Sequence, residues 1–189
     1  MERKVIYFEK PGRDNTRTCL EIVKEAVELE AYRHVVVAST TGTTGLLFAE
    51  ELNGLPVQPV IVTHSLGFKE PNTIEMPEAV RKEIESHGAK VYTGSMLTHS
   101  IETSLTSKFS GMYPTLIIAN TLRRFGEGVK VCCEITMMAA DAGLVPEGEH
   151  ILAVAGTAWG SDTVLVVRAA ASKRFLELRV LEVRAKPRV

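Results

Sequence analysis

Apolar and polar positions fall into short alternating blocks along the chain. Val5-Ile6-Tyr7-Phe8 is a β-branched and aromatic run and reads as a strand. Leu20, Val23 and Val27 recur at helical spacing up to about Glu30, and Thr18 with Glu21 has the spacing of a capping box at that helix's start. Val35-Val36-Val37-Ala38, led in by His34, is uniformly apolar, as expected of a strand buried on both faces of a parallel sheet. A helix is predicted from about Thr44 to Leu52 and ends at Asn53-Gly54. Val60-Ile61-Val62-Thr63 gives a third strand. A helix starting at Pro77 then turns Val80 and Ile84 inward until Gly88, and Lys90-Val91-Tyr92-Thr93 gives a fourth strand.

Strict alternation breaks after Gly94. Thr98 to Ser110 is a polar stretch rich in Ser and Thr. Helices are predicted from Pro114 to Phe125, closed by Gly126, and from about Val129 to Ala142, closed by Gly143. The second is apolar nearly all round and is expected to be deeply buried. Ile151 to Ala155 and Thr163 to Val167 read as strands around the loop Gly156 to Asp162, and a last strand or two cover Phe175 to Val183. Strand–helix alternation of this kind argues for an α/β fold with a mainly parallel sheet.

Composition narrows the function classes. At 189 residues and 45% hydrophobic, the chain can bury a core without disulfide or metal staples, and disorder is excluded as its main state. A net charge of −1, from 22 basic and 23 acidic residues, argues against nucleic-acid binding by bulk charge. The chain is short for a catalytic barrel of about 250 residues. Cys19, Cys132 and Cys133 make no disulfide framework and read as small buried hydrophobes. No apolar run reaches signal-peptide or membrane-spanning length, so a cytoplasmic protein is expected, with no membrane partner. A single glutamine, Gln58, and four asparagines hint at a hot habitat. No metal constellation is expected, because His34, His87 and His150 are scattered. After Arg168, Arg179 and Arg184 alternate with apolar residues, as on the solvated face of an edge strand.

Chemistry concentrates at Ser39-Thr40-Thr41-Gly42-Thr43-Thr44-Gly45, between a buried strand and a helix. A helix N-terminus offers unpaired N–H groups and the positive end of its dipole, so this loop reads as an anion site with hydroxyl donors. It has no lysine, which excludes the GxxxxGK[ST] triphosphate loop and favours a monoester phosphate. Gly42 is expected to leave room for that phosphate, so Gly42→Val should block it while the fold persists. In open parallel sheets ligands sit beyond the carboxyl ends of strands. That rule adds Thr63, His64, Ser65 and Gly67; Thr93, Gly94, Ser95 and His99; and Gly156, Thr157, Ala158, Trp159, Gly160 and Ser161. His64 or His99 could act as general acid or base, but no third group at readable spacing completes a triad. Trp159 either stacks on a ligand ring or packs into the core or an interface. Glu134, inside the apolar helix, needs a partner, for which Arg123 or Arg124 is expected.

Two family resemblances follow from these residues. Val35 to Thr44 looks like the C-terminal domain of pyruvate kinase, where a Ser/Thr-Gly-Thr/Ser loop after a strand holds a phosphate of the allosteric sugar bisphosphate. Gly156-Thr157-Ala158-Trp159-Gly160-Ser161-Asp162-Thr163, running into Val164 to Arg168, resembles the effector loop of that domain. Loop Ser39 to Thr44 is also similar to the flavin mononucleotide phosphate loop of flavodoxins. The resemblance to pyruvate kinase covers roughly Thr16 to Tyr92 and Ile151 to Arg168, with about 94–125 as a helical insertion. It implies one free-standing domain over 1–189, with a three-layer, mostly parallel sheet, helices on both faces and an antiparallel C-terminal part. It also implies homo-oligomer formation and, with the barrel's carboxylates and lysine missing, no pyruvate kinase activity. Neither loop carries lysine or arginine, so one phosphate with an aromatic body suits them better than a bisphosphate. The expected function is binding of a phosphate-bearing small molecule, flavin mononucleotide first, in a sensor, carrier or regulatory role. The alternative is a flavin-dependent oxidoreductase, or another small-molecule enzyme, using the same pocket.

Overall fold

The computed structural model describes Glu2 and residues 4–188. In chain order the elements are β1 (Ile6–Phe8), α1 (Thr16–Glu30), β2 (His34–Ala38), α2 (Thr43–Leu52), β3 (Gln58–Val62), α3 (Glu78–Ser86), β4 (Lys90–Tyr92), α4 (Ile101–Phe109), α5 (Pro114–Leu122), α6 (Glu127–Asp141), β5 (His150–Ala155), β6 (Thr163–Arg168) and β7 (Arg179–Pro187). Short 3-10 turns cover Arg13–Asn15, Arg123–Phe125 and Ser172–Glu177. The strands form one sheet in the order β1-β7-β6-β5-β2-β3-β4. Only β6 runs against the rest, so the sheet is mostly parallel with an antiparallel C-terminal part.

Period-2 alternation splits the core into two layers. Val35 and Val37 of β2 pack under α1, α2 and α3 through Leu20, Val23, Phe48, Leu52 and Ile84. Val36, on the opposite face, meets α6 through Cys132, Cys133 and Met138. All three cysteines are buried and free, and burial pushes the Cys19 thiol up to about 12 and Cys133 to about 11. Helix α6 is buried along most of its length, as its composition demands.

The structure corrects four local expectations. Helix α1 starts at Thr16, so Thr18 lies inside it and no capping box forms; the Arg13–Asn15 turn winds directly into the helix. Within the polar stretch after Thr98, Ile101–Phe109 is helical. Phe175 to Glu177 belongs to a 3-10 turn, and the strand beyond it runs to Pro187. That strand is not an edge: β1 covers it, and Arg184 is mostly buried on Glu30 at 2.7 Å and Glu182 at 2.9 Å. No helix among the described residues is long and apolar enough to cross a membrane.

Candidate functional site

The chain leaves β2 toward β3 on one side and returns as β5 on the other. That reversal opens a crevice beyond the carboxyl ends of β2 and β5, the place where open α/β sheets hold ligands. A cavity of about 670 Å³ fills it. Of the residues expected from sequence, Ser39, Thr40, Thr41, Thr43, Thr44, Thr63, His64, His99, Gly156, Ala158, Trp159 and Gly160 line the wall. Helix α2 begins there, and the N–H groups of its first turn have no acceptor within the helix. One is already satisfied, because Gly45 N–H donates to the Ser39 hydroxyl at 2.9 Å. The threonines at 43 and 44 stand beside those still open.

Gly42, Gly45, Ser65, Gly67, Thr93, Gly94, Ser95, Thr157 and Ser161 do not line the wall. Gly42 adopts φ 97 as the N-cap of α2 and faces Val80 and Met76, where a Cβ would collide with Val80. It therefore permits the packing of α2 near α3 rather than the approach of a ligand. Gly45 lies under Ile61 of β3. Thr93 is spent on Thr63 at 2.8 Å and on Arg81 at 3.1 Å. Gly67 N–H donates to Thr73 at 2.9 Å, closing the loop that bears Ser65. The loop after β5 is pinned from beneath by Asp162, fully buried, whose Oδ2 accepts from Gly12 N–H at 2.9 Å and Thr157 N–H at 3.0 Å. Ser161 N–H donates to Thr16 Oγ1 at 3.0 Å. Gly160 lies so close to Arg13 that a side chain would not fit. Trp159, 52% exposed, stands over the cavity instead of entering the core.

The loops themselves carry no lysine or arginine, and no basic group was expected here; other segments bring charge to the cavity. The wall also receives Arg13, Arg123 and Lys130, together with Glu127 and Glu134. Arg123 pairs with Glu127 at 2.8 Å. Lys130, 2% exposed, pairs with Glu134, 3% exposed, one helical turn on in α6. This replaces the expected arginine partner: i,i+4 spacing brings the lysine onto the same helix face. Thr98 adds its N–H and hydroxyl to Glu134 Oε1, both at 2.7 Å. Burial pushes the Glu134 carboxyl up, but Lys130 and the two Thr98 bonds outweigh it and hold it below the usual range. Arg13 is exposed and forms no ion pair among the described residues. Helical period in α6 was the signal that could have found Lys130; nothing local pointed to Arg13.

Both loop histidines have definite tautomers. The Thr98 hydroxyl gives its proton to Glu134, so His99 Nδ1–H must donate to it, at 3.0 Å. Burial, then the Lys130 charge, lowers the His99 pKa and favours the neutral ring. His64 Nδ1 lies 2.8 Å from Glu75, and its ring lies 4.2 Å from that of Phe68. Glu75 also pairs with Lys69 at 2.8 Å. Burial pushes the Glu75 carboxyl up, and its bonds to Lys69 and His64 bring it below the usual range.

The sequence model for the pyruvate kinase alpha/beta domain matches residues 16–167, most of the chain. The chain belongs to that family. It is similar to a pyruvate kinase from Cryptosporidium parvum at 17% identity, over 85% of this chain and 24% of that one, with a TM-score of 0.43. A pyruvate kinase from the same organism in complex with ADP matches at 18% identity, over 86% and 25%, also at 0.43. An O-ureido-L-serine synthase matches at 20% identity, over 61% and 31%, at 0.32. The family domain thus spans about a quarter of the pyruvate kinases it matches.

Proposed function

We propose that this pyruvate kinase-type alpha/beta domain binds a phosphate-bearing small molecule in the cavity at the head of α2, in a carrier, sensor or regulatory role. The observation that carries the reading is the convergence of the α2 N-terminus, four threonines and Arg13 on one cavity. Backbone N–H groups and hydroxyls would take the phosphate oxygens, and Arg13 would balance charge. Apolar side chains also line the cavity, Leu47 on α2 and Met96, Val131, Ile135 and Met138 beside the Arg123–Glu127 and Lys130–Glu134 pairs. A cavity of about 670 Å³ falls in the range for nucleotide-sized ligands. Flavin mononucleotide is the candidate that combines one phosphate with a flat ring, and Trp159 stands where it could stack on that ring.

The test is titration of the protein with flavin mononucleotide, read by quenching of flavin fluorescence, with inorganic phosphate as competitor. Saturable quenching that phosphate reverses is the expected result. No quenching, together with no rise in melting temperature on adding phosphate, overturns the reading. Trp159→Ala should weaken the flavin far more than inorganic phosphate; equal losses would refute stacking. Oxidation of a reduced nicotinamide by the flavin-loaded protein would move the assignment to the oxidoreductase reading.

A further inference from the structure

A second constellation reaches the cavity wall through Thr40 and His64, sharing Thr40 and the α2 N-terminus with the anion site. Thr40 Oγ1 lies 3.3 Å from His64 Nε2, and His64 Nδ1 lies 2.8 Å from Glu75 Oε2. An ionised carboxylate only accepts, so the imidazole proton sits on Nδ1 and Nε2 is left to accept from the Thr40 hydroxyl. Glu75 is itself held, with a side chain 11% exposed and Lys69 at 2.8 Å. The Phe68 ring packs on the imidazole and restrains its rotation. Thr40 sits in the turn between the carboxyl end of β2 and the first turn of α2, the strand–turn–helix setting of an exposed nucleophile. First-turn N–H groups of α2 lie next to it in the chain, unpaired within the helix, as donors for a developing oxyanion.

We infer that Thr40, His64 and Glu75 form a nucleophile, base and positioning group that transfers acyl groups from small carboxylic esters. Thr40 Oγ1 bonds to the ester carbonyl carbon while its proton passes to His64 Nε2. The bond from that carbon to the leaving alkoxide then breaks, and the same proton goes to the departing alcohol. Water, deprotonated by His64, attacks the acyl-threonine, releases the carboxylic acid and restores the hydroxyl. Thr40 and His64 are the catalytic residues, and Glu75 acts through His64. This inference goes beyond the phosphate reading and does not rest on it.

A fluorophosphonate probe tests it directly. Oγ1 would bond to phosphorus, fluoride would leave, and His64 would take the proton. In phosphate-free buffer the wild-type protein should gain one probe mass, mapped by peptide mass spectrometry to Thr40. Thr40→Val should take no label, and Thr40→Ser should label at least as fast as wild type because the hydroxyl is less hindered. His64→Ala should slow labelling by about 100-fold or more. Glu75→Gln should slow it by about 10-fold or more and move its pH profile, a readout that loss of packing alone would not shift. A wild-type protein without label at Thr40, or labelling unchanged in His64→Ala, overturns the inference. Labelling that inorganic phosphate does not suppress leaves the triad standing and counts against the anion site. Phosphate binding without labelling does the reverse.

Discussion

Gly42 shows how a residue's role depends on a neighbour distant in sequence, and Lys130 how it depends on one a single helical turn away. Sequence placed Gly42 in the phosphate loop and expected valine there to exclude the ligand while sparing the fold. Its left-handed φ of 97 and its contact with Val80 reverse that expectation. Gly42→Val should destabilise the protein by about 2–5 kcal/mol, from left-handed strain plus overpacking, read as a lower urea midpoint. An unchanged midpoint would show that α3 can move aside. Lys130→Met strands the Glu134 carboxylate in the core and should cost about 3–5 kcal/mol by the same measurement. Replacing both members of the pair with apolar residues should cost less, because no charge is left unpaired.

The start of α2 is where local structure becomes chemistry. Thr43 is the first residue of that helix and is exposed on the cavity side. Thr43→Asp places a carboxylate at the positive end of the dipole, which should hold or raise the melting temperature. The same charge should repel phosphate and reduce flavin mononucleotide binding by at least about 10-fold. Calorimetry with unchanged affinity in this variant would separate the helix terminus from the ligand site. The loop after β5 is held from beneath by the buried Asp162, which accepts from Gly12 N–H, Thr157 N–H and the Thr163 hydroxyl. Asp162→Ala leaves those donors without their acceptor and should cost at least about 2 kcal/mol. Hydrogen exchange at Thr157 should rise with it, and protection as strong as in wild type would contradict this role.

Carboxylates across the whole molecule set its response to acid. Hydrogen bonds from Arg174 and then Ala171 N–H lower Glu147 to about 2, and Glu51, Glu75 and Glu134 are also lowered. A carboxyl depressed by folding contributes stability above its unfolded pKa and loses it as pH falls through its folded one. Stability should therefore decline as pH falls, first through about pH 6.5, where the unfolded His99 ring takes a proton that the folded one resists, and then from about pH 5 toward about pH 2 with the carboxylates; above about pH 8.5 it should fall again, because the buried thiols ionise only in the unfolded chain. Urea midpoints measured between those limits check the sign, and a midpoint that rises on acidification would refute it. High salt should shrink the exposed Glu147 and Glu51 contributions first, because buried charges are screened less.

Much of this architecture was legible along the chain. Val35 to Ala38, Val60 to Val62 and Ile151 to Ala155 read as buried parallel strands because covering both faces leaves no polar positions. The glycine and threonine punctuation marked the loops that now meet at the switch point. The capping box at Thr18 fails because the adjacent Arg13–Asn15 turn winds straight into α1, and the solvated edge expected at Arg184 fails because β1 and Glu30, far along the sequence, fold back onto that strand. The site divides along the same line. Its hydroxyls and helix terminus are consecutive residues, so hydrogen-bonding capacity and the positive end of the dipole follow from order alone. Its charges and its triad do not. Lys130 meets Glu134 by helical spacing alone, but Arg13 and Lys130 reach the cavity from separate segments and Glu75 stands behind His64 from a third, and only packing of those segments against the sheet brings them together.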